Sequence, residues 1–172
     1  MGEHNFLVEG SSGTGKTSVC HELRRRGYQA INGDTDLAYQ GDPVTGSPST
    51  EPPCHEHHLW REDQIRLLAT QAEHRFSFFC GGSRNFNRFL DVFDEVFVLD
   101  ADPETLIERL SLRPTGEFGS LPQERDFILR LHRRGTDLPV SGVQVDATQP
   151  LATVVDNILT TAEAVAERSA NR

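Results

Sequence analysis

Gly10-Ser11-Ser12-Gly13-Thr14-Gly15-Lys16-Thr17 is the stretch of this 172-residue chain from which the fold can be read. It meets the pattern G-x-x-x-x-G-K-[ST] at every position. The apolar run Phe6-Leu7-Val8 precedes it, and a helical pattern carrying Val19, Cys20 and Leu23 follows. Strand, glycine loop and helix in that order make a phosphate cradle. Glycines let the backbone wrap until its N–H groups converge, and the helix N-terminus adds partial positive charge. Gly10, Ser11, Ser12, Gly13, Thr14 and Gly15 are expected to line the phosphates, Lys16 to reach the β- and γ-phosphates, and the Thr17 hydroxyl to ligate Mg²⁺. Lys16 is also the sole lysine; everywhere else that the chain uses Lys or Arg it uses Arg. The compact ammonium is kept where it fits between phosphates. These residues imply a nucleoside-triphosphate site.

Working outward, the length suits one α/β domain with a full core. Hydrophobic content of 36% and charged content of 25% are those of an ordinary water-soluble protein, and no run approaches a membrane span. The N-terminus lacks a basic-then-apolar leader pattern. A net charge of −9 argues against nucleic acid or anionic lipid as partner. Cys20, Cys54 and Cys80 have no framework spacing and read as reduced, buried or half-buried thiols of a cytoplasmic protein. A monomer or homodimer acting on small molecules is the expectation.

The first strand is placed at 5–9 and the first helix at 16–26, with Gly27 to end it. A second strand covers 28–32, and Gly33-Asp34-Thr35-Asp36 turns away from its end. In extended geometry Asp34 and Asp36 point to one side, at the strand end where ligands collect in parallel sheets. Residues 37–58 form an acceptor-side loop, its 40–53 part mobile and rich in Gly, Pro, Ser and Thr. Cys54-His55-Glu56-His57-His58 invites a metal reading, but adjacent ligands converge poorly, and a substrate-facing role for one of them is preferred. A helix is expected from Leu59 to His74, burying Trp60, Leu67, Leu68 and Ala72. A third strand at 75–80 ends in Gly81-Gly82, where backbone can approach a ligand. A short helix or irregular piece spans 85–93, and a fourth strand 95–100. Asp102-Pro103 opens a helix with Leu106, Ile107 and Leu110 on its apolar face. Pro114, Gly116 and Gly119 break the pattern between helices, so residues 113–123 read as a lid; Arg109 and Arg113 stand at its entry. A helix at 122–134, a fifth strand at 140–146 and a long amphipathic helix from Leu151 complete a three-layer α/β fold with a five-stranded parallel sheet.

Phosphoryl transfer needs a held donor, neutralised charge and an in-line acceptor hydroxyl. The loop, Lys16, Thr17 and Mg²⁺ meet the first need, a strand-end aspartate can orient or deprotonate the acceptor, and lid arginines can neutralise the transition state. No N-K-x-D signal of a switch GTPase is present.

These residues are similar to those of the small P-loop kinases of the shikimate-kinase and adenylate-kinase group. A D-x-D follows the second strand in that group, and Asp34-Thr35-Asp36 matches it with about one extra residue. The resemblance implies that Asp34 binds Mg²⁺ through water and contacts substrate, and that Asp36 contacts the acceptor as base. It implies substrate contacts at Gly81, Gly82 and Arg61, nucleotide contacts at Arg109 and Arg113, with Arg113 also catalytic, and an adenine loop at Val145-Asp146-Ala147-Thr148. The cofactors it implies are ATP and Mg²⁺. Residues 37–60 depart from the shikimate-kinase pattern, which leaves nucleosides, nucleotides, sugar acids and antibiotic hydroxyls open as acceptors. A nucleoside or nucleotide kinase is the nearer alternative; a catalytically silent nucleotide-binding regulator is the alternative from another class.

Overall fold

β1 (Gly2–Gly10) is the central strand of a five-stranded sheet, with parallel neighbours on both sides. The sheet order is β2-β5-β1-β6-β7, where β2 is Gln29–Asn32, β5 His74–Cys80, β6 Glu95–Asp100 and β7 Val143–Asp146. The computed structural model describes residues 2–135 and 138–171. Side-chain alternation along the strands builds two cores. Phe6, Val8, Phe78, Cys80, Phe97 and Leu99 face α1 (Lys16–Arg25) and α6 (Leu151–Ala170); Leu7, Phe79, Val96 and Val98 face the opposite layer. Apolar runs buried on both faces are what a parallel sheet between helical layers requires. α6 buries Val154, Val155, Ile158, Ala162, Val165 and Ala166, the periodic face read from its sequence, while Leu151 at its start stays exposed.

α4 (Pro103–Ser111) is capped by Asp102, whose side chain accepts the Thr105 N–H at 2.8 Å, and it buries Leu106 and Leu110 but leaves Ile107 exposed. α5 (Pro122–Arg134) follows residues 112–121 and buries Ile128 and Leu129. The expected fifth strand begins only at Val143, and Val140 is exposed.

Two regions depart from the sequence reading. The turn at 33–36 is one helical turn, α2 (Gly33–Asp36), with the Asn32 side chain accepting the Asp34 N–H at 3.2 Å. The helix expected from Leu59 begins instead as a strand, β4 (His58–Trp60), antiparallel to β3 (Ala38–Gln40); α3 covers only Glu62–Ala69. Trp60 is buried as a strand residue, stacked at 6.0 Å on Phe89. α3 buries Ile65 and exposes Leu67. Backbone partners from β3 outweigh the helical composition of this stretch. The intervening excursion is hydrogen-bonded. The Asp42 carboxylate accepts the Val44 and Thr45 N–H groups at 2.9 and 2.7 Å, and the Tyr39 hydroxyl donates to Gly46 O at 2.9 Å.

Candidate functional site

The loop between β1 and α1 wraps into a cradle at the carboxyl end of the sheet. Thr14 N–H donates to Ser11 O at 3.2 Å and Val19 N–H to Gly15 O at 2.9 Å, so the loop runs into α1 without a break. It forms one wall of a cleft of about 1260 Å³, lined by every residue from Gly10 to Thr17. Lys16 Nζ donates to Gly10 O at 2.5 Å and Ser11 O at 3.1 Å, folded back over the loop. Burial pushes its ammonium below the usual lysine range, while Glu9 and Asp34 pull it back up.

Opposite Lys16 stands Asp34, with 35% of its side chain exposed. Its Oδ1 accepts the Gly82 N–H at 3.0 Å and pairs with His58 Nε2 at 3.2 Å. Burial alone would raise this carboxyl; the His58 contact, Lys16 and the Gly82 N–H together hold it below the ordinary carboxylate range. Glycine at 81 allows the close approach, because a Cβ there would lie 2.6 Å from Asp34 Oδ1.

Glu9, the last side chain before the cradle, is 1% exposed. Its carboxylate accepts the Gly10 N–H at 2.7 Å and the Ser83 N–H at 3.2 Å, stapling the loop after β1 to the loop after β5. Burial lifts it from an ordinary 4.5 to about 7, against the pull of Lys16, the Gly10 N–H, Arg84 and the Ser83 N–H.

Residues of the third wall come from the helices after β6. Arg109 donates to Thr14 O at 3.2 Å and to Ala147 O at 2.7 Å, tying the cradle to the turn after β7. Arg113 donates to Ser12 Oγ at 3.1 Å and to Phe118 O, and burial presses its guanidinium below the usual arginine range. His132, on the inner end of α5, meets Ser11 Oγ at 3.0 Å through Nδ1. Across the mouth of the cleft, His55 lies 6.3 Å from Phe118 and 5.4 Å from Phe127, ring centre to ring centre. The acceptor-side loop and the 112–121 connection thus touch.

Of the residues expected at the site, the cradle, Thr17, Asp34, Gly82, Arg109 and Arg113 line one cleft. Asp36, Arg61, Gly81 and Thr148 are not brought to it. Asp36 is separated from Asp34 by two positions of a helical turn, so the side chains diverge; it takes the Thr35 hydroxyl at 2.8 Å and lies 3.5 Å from Arg24. Arg61 lies over the Tyr39 ring at 5.1 Å. Gly81 packs beneath Asp34, and Thr148 turns its hydroxyl to Asp146 at 2.6 Å, leaving Ala147 and Gln149 to face the cleft. Cys54 is exposed and lines the cleft. Among the described residues no three His, Cys, Asp or Glu side chains converge on a metal position.

His132 carries no sequence signal of its own, and His58 is the member of the Cys54–His58 cluster that reaches Asp34, which the sequence could not single out. An acidic residue inside a buried apolar strand is the one hint for Glu9.

The sequence profile of the AAA domain family matches residues 7–126. No curated protein sequence matches the chain. Among solved structures, a gluconokinase from Sinorhizobium meliloti 1021 is 24% identical, with a TM-score of 0.58 over 96% of this chain and 94% of that one. A shikimate kinase from Bacteroides thetaiotaomicron is 16% identical, with a TM-score of 0.62 over 93% and 98%. A deoxyadenosine kinase from M. mycoides, solved with dATP, is 16% identical, with a TM-score of 0.51 over 92% and 99%. The family match spans well over half of the chain, and the solved structures superpose on nearly all of it: the chain belongs to the AAA domain family of P-loop proteins and has the fold of the small P-loop kinases.

Proposed function

We propose that this protein is an ATP-dependent kinase that transfers the γ-phosphoryl group to a hydroxyl of a small polar molecule. One observation carries the reading: a phosphate cradle with its lysine and a carboxylate held ionised face each other across one cleft. That is the pairing of donor grip and acceptor activation that phosphoryl transfer needs.

The cradle N–H groups bind the β- and γ-phosphates. Lys16 exchanges Gly10 O and Ser11 O for phosphate oxygens, a trade of two neutral acceptors for a polyanion. Thr17 and Asp34 fit a hard cation, because both line the cleft and Asp34 Oδ2 accepts no hydrogen bond among the described residues. Mg²⁺ held there would neutralise charge on the transferring group. Asp34 would meet Mg²⁺ only through the ion's water shell, which leaves Oδ2 to orient the acceptor hydroxyl and take its proton as the acceptor O–P bond forms and the bond from the γ-phosphorus to the departing ADP oxygen breaks. Arg113, tied to Phe118 O, travels with the 112–121 lid and shields the leaving phosphate. Gln40, His55, His58 and Arg84 wall the acceptor end, which favours a hydroxylated, polar acceptor such as a sugar acid or nucleoside. The net charge of −9 supports a small-molecule partner over nucleic acid.

The test is ATP consumption over a panel of sugar acids, polyols, nucleosides and nucleotides, with Lys16→Ala as the blank. Nucleotide binding without turnover of any acceptor would refute the reading and favour a silent nucleotide-binding regulator.

A further inference from the structure

Asp34 is gripped from two elements that lie far apart in sequence. Gly82 N–H comes from the end of β5, and His58 Nε2 comes from β4, 24 residues from Asp34. Both contacts fall on Oδ1, so the carboxylate has one oxygen spent and one left to the cleft. His58 is itself held firmly. It sits in the β3–β4 ladder opposite Gln40, and its carbonyl accepts the Arg84 N–H at 2.9 Å. The imidazole thus stands on a braced platform, and the bare backbone of Gly81 gives the carboxylate the space to lie between its two donors. A carboxylate only accepts, so the Nε2 facing it carries the hydrogen.

We infer that His58 is a positioning residue: by donating Nε2–H to Asp34 Oδ1 it fixes the rotation of the carboxylate and aims Oδ2 at the reacting groups. The inference rests on the kinase reading for its catalytic consequence, but the His58–Asp34 pair itself does not. A carboxylate whose angle is set by a second group is worth more in the transition state than one free to rotate, because misorientation costs rate and leaves nucleotide binding untouched.

The experiment has two arms on the full-length protein. In the first, the imidazole N–H of His58 is followed by NMR in the absence of nucleotide. It is expected to exchange slowly with water and to be lost to fast exchange in Asp34→Ala, whereas equally fast exchange in both proteins overturns the pair. In the second, phosphoryl transfer from Mg²⁺-ATP is measured for His58→Ala and His58→Gln, to the acceptor found by the panel or to water. His58→Ala is expected to lower kcat roughly tenfold or more with the KM for ATP changed less than about threefold. His58→Gln, whose amide N–H reaches the same place, is expected to recover most of the loss. Unchanged kcat in His58→Ala overturns the inference, as does a Gln variant no better than Ala at equal thermal stability. Absence of any transfer by the wild type removes the kinase reading, and the NMR arm then decides the pair alone.

Discussion

Glu9 gives the structure a measurable dependence on pH. Its carboxyl is lifted from 4.5 to about 7 by burial beneath the phosphate cradle, so between those values the folded protein holds a proton that the unfolded chain has released. Stability therefore falls as pH rises when the folded state binds more protons. The contribution is fully present below pH 4.5 and is lost as pH passes through about 7. A gap of that size corresponds to roughly 3 kcal/mol. Glu9→Gln does not titrate. Its amide can accept only one of the Gly10 and Ser83 N–H groups, a loss of about 1–3 kcal/mol that is independent of pH. Urea unfolding of both proteins from pH 4.5 to 8 isolates the effect, because every other group is common to the two and cancels in the difference. The stability of Glu9→Gln relative to wild type is expected to rise by roughly 3 kcal/mol across the interval. A difference that stays flat within about 0.5 kcal/mol would refute the reasoning.

Exchanging the two aspartates separately tests which one serves the cleft. Asp34→Asn is expected to lower turnover by roughly 10²–10⁴ with ATP still bound, and Asp36→Asn to stay within about threefold of wild type; steady-state kinetics decide. Lys16→Ala is expected to weaken ATP binding at least tenfold by calorimetry, since it removes the chain's sole lysine from the loop. Gly33→Ala places a Cβ 2.1 Å from the buried Trp60 ring, so urea unfolding should show a loss of roughly 1–3 kcal/mol or more. An unchanged midpoint would mean the indole can move.

The parts legible in the sequence are those set by near neighbours along the chain. The cradle from Gly10 to Thr17, the doubly buried runs of β1, β5 and β6 and the apolar face of α6 follow from local geometry and periodicity, and from these the three-layer parallel sheet follows as well. Tertiary structure alone decided which aspartate lines the cleft. In an extended turn Asp34 and Asp36 share a side; in the helical turn capped by Asn32 they diverge, and two residues of spacing cannot reveal which conformation prevails. It also decided that Leu59 and Trp60 belong to a strand, because the partner that pairs with them lies across the whole excursion from Gly41 to His57. His58 reaches Asp34 over 24 positions and Glu9 reaches Ser83 over 74. A chain can spell out its own dihedral preferences, but the hydrogen-bond partner of a strand edge and the solvation of a carboxylate depend on what folding brings beside them.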